Sequence, residues 1–430
     1  MAASRLPETK RPRLKSRLLP LEPLTCYRQN VNDTSLCVGD VVDVTTERMI
    51  YGGDAIARHD GLAIFIPFAA PGERLRVRII ERKKNFARAV IDRMLEPSPS
   101  RREAPCQYFG DCGGCQLQHI TYETQLESKI GFVRDALERI GRIDWPHEIS
   151  IRHAAEFGYR GRAQVKIDRR AGRVGFNRAA TNAVCDVTSC PILLPELDEA
   201  LGSLWSALGQ QTDNDQRLPN RLQVEMAAGE SAVSFQPALG GLPGGTLQRS
   251  VHGSVYNFGP ATFFQGNPGL LDELVDQAVA AESGDVAIDL YAGVGLFTMQ
   301  LARRFNRVIG VEVDRGASKF AFENIAANGL TNVEFHNTSV EPWLKSLAAT
   351  QAPAPDLMLL DPPRTGAPEA VSYVAALKPS RIIYVSCDPT TLARDLRTLL
   401  DSGYELAGIT ALDLFPQTYH VETVAALVRR

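Results

Sequence analysis

The chain has 430 residues, 44% of them hydrophobic and 23% charged, with 47 basic and 50 acidic side chains for a net charge of −3. That length is too great for one ordinary core and predicts two or three domains of a globular protein. No apolar run approaches about 18 residues and no apolar stretch precedes a small-residue cleavage site, so neither a membrane span nor a secretory signal is expected. The expected compartment is the cytoplasm, where the eight cysteines should be reduced or ligated and not paired.

The near-neutral total hides an asymmetry. Residues 1–30 carry seven Lys/Arg against two acids, residues 74–102 ten against three, and residues 152–178 eight against two, whereas residues 261–430 hold thirteen basic and twenty acidic side chains. One such run is ordinary solvated surface. Three in the same half point to a face that follows a phosphate backbone.

In chain order, residues 1–35 read as a basic, Pro-rich, disordered tail. Residues 36–96 hold about five short runs rich in Val, Ile and Phe between Gly and Pro, which predicts an OB-like β-barrel, a common oligonucleotide binder. Pro97–Ser100 reads as a linker. Residues 97–260 are expected to form a central α+β domain, with a helix over Tyr122–Ile140 and strands over Ala163–Val174 and Leu222–Phe235. Residues 261–430 alternate β and α: VAIDLY, a helix over Leu296–Phe305, RVIGVEVD, a helix over Lys319–Asn328, NVEFHN, LMLLDPP, RIIYVSCDP, a helix over Thr391–Leu400, and strands near Glu405–Leu412 and Val421–Val428. The fold class is therefore multidomain α/β ending in a doubly wound, Rossmann-like sheet with helices on both faces.

Three constellations carry chemistry. Cys106, Cys112 and Cys115 form a C-x5-C-x2-C pattern, with Cys190-Pro191 further along. Zinc sites more often show paired C-x2-C or H-x3-H spacings, so a [4Fe–4S] cluster is favoured over zinc, with Cys185 competing as fourth ligand. Asp289-Leu-Tyr291-Ala-Gly293-Val-Gly295 marks a strand-to-helix turn where the backbone approaches a ligand, and Glu312 ends the next strand where ribose hydroxyls would lie. No Lys-Ser/Thr follows the glycines, so a P-loop is not expected, while S-adenosylmethionine and NAD both fit. Asp361-Pro-Pro-Arg364 and Ser386-Cys387-Asp388-Pro389 close the next two strands at the same sheet edge. A cysteine in a polar turn entering a helix is expected to be a nucleophile, with its pKa lowered by the helix N-terminus. Carbon 5 of uracil becomes nucleophilic only after a thiolate adds to carbon 6, and a base must later remove the carbon-5 proton. Glu422, beside His420, is the natural base.

On these motifs the chain resembles the RumA/TrmA-type RNA uracil-5-methyltransferases, from Leu36 to Arg430. The resemblance implies a TRAM barrel over residues 36–95, cluster ligands Cys106, Cys112, Cys115 and Cys190, and a Phe-x-Gln-x-Asn motif at Phe263-Phe264-Gln265-Gly266-Asn267. It places Gln265, Tyr291, Glu312 and Asp361 on cofactor contacts, Cys387 on the nucleophile and Glu422 on the base. Phe263 and Arg364 are expected to touch the substrate. Leu296 stands where many members have Asn, and Ala292 where a cysteine is frequent. The expected partner is structured RNA, ribosomal more than transfer RNA, acted on by a monomer. Two rivals are an amino-group methyltransferase using Asp361-Pro-Pro-Arg364, and a non-catalytic RNA-binding iron–sulfur protein.

Overall fold

Arg74, Arg76 and Arg78 alternate with Leu75, Val77 and Ile79, and this period of two gives a strand one charged face and one apolar face. In the computed structural model, which describes residues 36–209, 219–238, 241–279, 281–350 and 353–430, five such strands close into a barrel. They are β1 (Val41–Met49), β2 (Asp54–His59), β3 (Leu62–Pro67), β4 (Arg74–Arg82) and β5 (Phe86–Glu96), in the order β1-β2-β3-β5-β4 with β4 pairing back onto β1. Closure leaves no free sheet edge. The basic tail expected over residues 1–35 lies outside the described residues.

The barrel is not strung on a flexible linker. Ser98 is buried with its hydroxyl 2.9 Å from that of Ser100, and Arg101 forks onto the fully buried Glu73. A buried carboxylate needs a counter-charge, so the expected linker becomes a packed corner.

Helix α1 (Tyr122–Ala136) starts at a Thr121 cap and ends in a π-helical turn, Leu137–Gly141, short of a regular helix to Ile140. Strand β6 (Ser150–Arg152) follows. The two long strands expected next are hairpins, because turns at residues 169–172 and 229–232 interrupt them. Strands β7 (Arg162–Asp168), β8 (Arg173–Asn177), β9 (Val184–Asp186), then helix α2 (Pro195–Gly209), β10 (Arg221–Ala228) and β11 (Val233–Gln236) make a sheet ordered β11-β10-β7-β8-β9. A separate hairpin, β12 (Leu247–Val251) and β13 (Ser254–Phe258), leads into the last part.

There α3 (Leu271–Val279), β14 (Gly284–Leu290), α4 (Leu296–Leu301), β15 (Phe305–Glu312), α5 (Arg315–Ala327), β16 (Val333–Asn337), α6 (Val340–Ala349), β17 (Leu357–Leu360), α7 (Ala370–Leu377), β18 (Arg381–Ser386), α8 (Pro389–Asp401), β19 (Tyr404–Leu412) and β20 (Glu422–Arg429) alternate as expected. Helix α4 stops at Leu301 because Phe305 already pairs with Gly284 in the sheet. The order is β16-β15-β14-β17-β18-β20-β19-β6, parallel from β16 to β18, with β20 antiparallel between β18 and β19. Apolar clusters cover both faces, one of them joining Val133 and Ala136 of α1 and Leu137 of the turn after it to Leu392 and Leu396 of α8. Strand β6 extends the same sheet beside β19, so residues 122–152 dock the middle of the chain onto its end. No helix among the described residues is long and apolar enough to cross a membrane.

Candidate active site

Cys387 sits in the turn between β18 and α8, half-buried, with its backbone held from both sides. The Ser386 hydroxyl donates to the Asp388 carbonyl (3.1 Å) and accepts from the Asp388 N–H (3.2 Å). The Asp388 carboxylate caps α8 by accepting from Thr390 N (2.8 Å) and Thr391 N (3.1 Å), and Pro389 at the first helical position needs no partner. The antiparallel register places Ser386 opposite Thr423, so one residue further Cys387 meets Glu422 at the start of β20. Asp361 ends the neighbouring β17, and Arg364 from the next loop reaches the Cys387 thiol and the His420 ring (3.2 Å). Four of the expected residues thus converge: Cys387, Glu422, Asp361 and Arg364.

The electrostatics differ from the sequence expectation. Burial pushes the Cys387 thiol up to about 12, helped by the Glu422 and Asp361 carboxyls and opposed by Arg364. Burial is the largest influence on this thiol, and the first N–H groups of α8 are already engaged by the Asp388 carboxylate. Burial, then the charge of Asp361, raises Glu422 well above the usual carboxylate range. Asp361 itself is raised to about 7 by burial and by Asp289. His420 is held down at about 3 by burial and by Arg364, so it is neutral at physiological pH.

A second cluster lies where β14 and β15 end. Tyr291, Gly293 and Gly295 all adopt positive φ (62°, 57° and 90°), which bends the chain from β14 into α4. The Glu312 carboxylate accepts from Gly293 N (2.9 Å) and Asp314 N (2.7 Å), fixing its position at the sheet's carboxyl edge. The Tyr291 hydroxyl donates to Glu341 (2.9 Å). Gln265 is buried and lines a small cavity with Arg162, Thr262 and Phe264, and among the described residues no hydrogen bond joins it to this turn. Phe263 beside it is 63% exposed, its ring 5.5 Å from the Arg162 guanidinium.

The cysteine pattern folds around a cavity of about 310 Å³ lined by Cys106, Cys112, Cys115 and Cys190, with Arg160 and Gln118. Cys185 does not line it: its thiol donates to Asp111 (3.4 Å). Burial raises Cys115 to about 11 and Cys190 to about 12. Among the described residues, no three His, Cys, Asp or Glu side chains close on one point as they would around a single ion.

The sequence model of the tRNA (uracil-5-)-methyltransferase family matches residues 246–430, and that of the TRAM domain matches residues 35–91. The chain is 33% identical over 425 residues to a 23S rRNA (uracil(1939)-C(5))-methyltransferase from Klebsiella pneumoniae, covering 91% of this chain and 96% of that one. An uncharacterized RNA methyltransferase from Aquifex aeolicus is 34% identical over 422 residues, 89% of this chain and 97% of the relative. The crystal structure of a Pyrococcus abyssi tRNA (uracil-54, C5)-methyltransferase with S-adenosyl-L-homocysteine superposes with a TM-score of 0.69 at 26% identity, covering 90% of this chain and all of that one. The chain belongs to the RNA uracil-5-methyltransferase family.

It therefore transfers methyl groups from S-adenosylmethionine to carbon 5 of uridine in RNA, behind an N-terminal TRAM domain on a Rossmann-like sheet. Neither the amino-group rival nor the non-catalytic one stands. The methyltransferase site also holds residues that sequence reasoning missed. Asp388 was visible as an Asp-Pro helix start. Tyr51, whose hydroxyl donates to Asp388, and Asp395, which accepts from Ala367 N (2.7 Å) and so anchors the loop carrying Arg364, had no sequence signal.

Proposed function

We propose that Cys387 is the nucleophile and Glu422 the base in methylation of one uridine of large-subunit ribosomal RNA, and that the chain acts in the cytoplasm as a monomer. The observation that carries this is that the Cys387 thiol after β18, the Glu422 carboxyl at the start of β20 and Arg364 come together at one edge of the sheet. The Cys387 thiolate bonds to carbon 6, and the carbon 5–carbon 6 pair moves onto the carbon-4 oxygen as an enolate. Carbon 5 then takes the methyl group from the sulfonium, leaving neutral S-adenosylhomocysteine. Glu422 removes the carbon-5 proton, the double bond re-forms, and Cys387 leaves as thiolate. In the free protein, burial raises both the thiol and the Glu422 carboxyl above their ordinary ranges and so works against their ionised forms. S-adenosylmethionine would bring a sulfonium, and a positive charge near the thiol and the carboxyl would favour both ionised forms. Tyr291, Gly293, Gly295, Glu312, Asp361 and Gln265 are assigned to the methyl donor, and Phe263 and Arg364 to the RNA, Phe263 as a stacking face for an extracted base.

The rRNA target rests on the Klebsiella relative, a transfer-RNA target on the Pyrococcus one. Mapping 5-methyluridine in RNA from cells with and without the gene decides between them. One large-subunit uridine should lose its methyl group, and a loss confined to tRNA would overturn the assignment.

Cys106, Cys112, Cys115 and Cys190 are proposed to hold a [4Fe–4S] cluster in a central domain spanning residues 97–260, between the barrel (36–96) and the transferase part (261–430). The residues fit it. Four thiols line one cavity, Arg160 offsets thiolate charge, and the buried Gln118 Nε2 has no oxygen partner among the described residues and faces Cys115. No catalytic step passes through the cluster. Protein purified anaerobically should be brown with about four irons per chain. Cys190→Ser should lose the colour and Cys185→Ser should keep it, and zinc without iron would overturn the cluster.

RNA binding by the front half has its own test. Most barrel arginines are tied to acids, Arg76 to Asp43 and Arg78 to Asp92 among them, while at the end of β4 and in the turn after it stand the half-buried Arg82, the exposed Lys83, paired with Glu81 (3.2 Å), and the exposed Lys84. Neutralising all three should make the log–log salt dependence of RNA binding shallower by roughly two, at about 0.7 per phosphate contact on single strands. An unchanged slope in a salt titration would assign recognition elsewhere.

A further inference from the structure

Tyr51 lies in the turn between β1 and β2, in the barrel, 337 residues before the helix cap it touches: its hydroxyl donates to the Asp388 carboxylate at 3.1 Å. We propose that Tyr51 is a positioning residue for methyl transfer, so that the barrel braces the Ser386–Cys387–Asp388 turn and completes the active site in addition to holding RNA. The inference rests on Cys387 as nucleophile.

Three observations carry it. One Asp388 oxygen is occupied by the Thr390 and Thr391 N–H groups and the other by Tyr51, so both are tied and the turn cannot pivot about its cap. The Tyr51 ring packs edge-on against Tyr419 (5.2 Å) and Phe132 (6.0 Å). Tyr419 lies 4.3 Å from His420, which faces Arg364, so a second chain of contacts runs from the barrel to the pocket. The turn is also shaped for close approach. Gly52 and Gly53 have φ of 110° and 91°, and a Cβ on Gly53 would sit 2.8 Å from that of Gln116. The barrel is seated firmly enough to act as a brace, because its core continues into Leu117, Ile120 and Phe132 and Arg48 pairs with Asp135 of α1.

The test uses the full-length protein, saturating S-adenosylmethionine, and RNA carrying 5-fluorouridine at the target, which traps the covalent adduct. Tyr51→Phe keeps the ring and its packing and removes only the hydroxyl. Adduct formation at saturating RNA should slow about tenfold, the worth of one hydrogen bond to a charged group. RNA affinity and thermal midpoint should stay near wild type. Asp388→Ser keeps a helix-capping oxygen but has none to reach Tyr51, and should slow the step comparably. The double variant should be no slower than the slower single one, as for two ends of one contact. A Tyr51→Phe rate within twofold of wild type, a loss explained by weaker RNA binding, or losses that multiply in the double variant would each overturn the proposal. Absence of any adduct in the wild type would instead remove the nucleophile reading, and is seen before any variant is compared.

Discussion

Cys387→Ala is expected to reduce methylation on the order of 10⁴-fold or more and to abolish the covalent adduct with 5-fluorouridine RNA, while S-adenosylmethionine still binds. The size follows from the chemistry: without addition at carbon 6, carbon 5 of uracil does not displace the methyl group. The donor side survives because Glu312 and the Gly293 turn lie at the ends of β14 and β15, separate from the thiol. The environment adds a pH signature. Because burial pushes the thiol up to about 12, the thiolate fraction of the free protein is small and rises about tenfold per pH unit up to that value. Alkylation of Cys387, followed by mass spectrometry of the modified peptide, should climb with that slope between pH 7 and 9. A rate already flat at pH 7 would mean a preformed thiolate, and an adduct trapped by Cys387→Ala would assign the nucleophile to another group.

Glu422→Gln should fail at the other end of the reaction. The amide cannot take the carbon-5 proton, whereas addition and methyl transfer need no carboxylate there. Glu422 in fact opposes thiolate formation, so its neutralisation should leave adduct formation as fast as in wild type or faster. Release of methylated RNA should slow by about 10²–10⁴-fold, the usual contribution of a positioned base. Rapid-quench gels on natural RNA should show a methylated, protein-bound species accumulating. A folded variant that forms no adduct would make Glu422 a positioning group and place the base elsewhere.

The sheet and its loops were legible because periodicity reports burial. Continuous apolar runs such as Leu357–Leu360 and Ile382–Val385 could only be covered strands, and their carboxyl ends had to share one edge. The Phe305 error is of a different kind: local pattern allowed one more turn of α4, and pairing with Gly284 overrode it. The turns within residues 163–174 and 222–235 were missed because β-propensity runs through both arms of a hairpin and only strand pairing reveals the break.

By itself the amino-acid sequence determined the barrel, the doubly wound sheet, and which side chains stand at strand ends: Cys387, Asp361, Glu312, Glu422. These follow from local spacing, since a strand's end and a turn's glycine are set within a few residues. Tertiary structure alone decided the protonation of the thiol, the exclusion of Cys185 from the four-cysteine cavity, and the contact of the barrel with the nucleophile turn. Each depends on groups distant in sequence. The Glu422 and Asp361 carboxyls that act on Cys387 come from other strands, Asp111 holds the Cys185 thiol from 74 residues away, and Tyr51 arrives from another domain. Desolvation and long-range hydrogen bonds are properties of the packed chain, and no pattern of neighbouring residues encodes them.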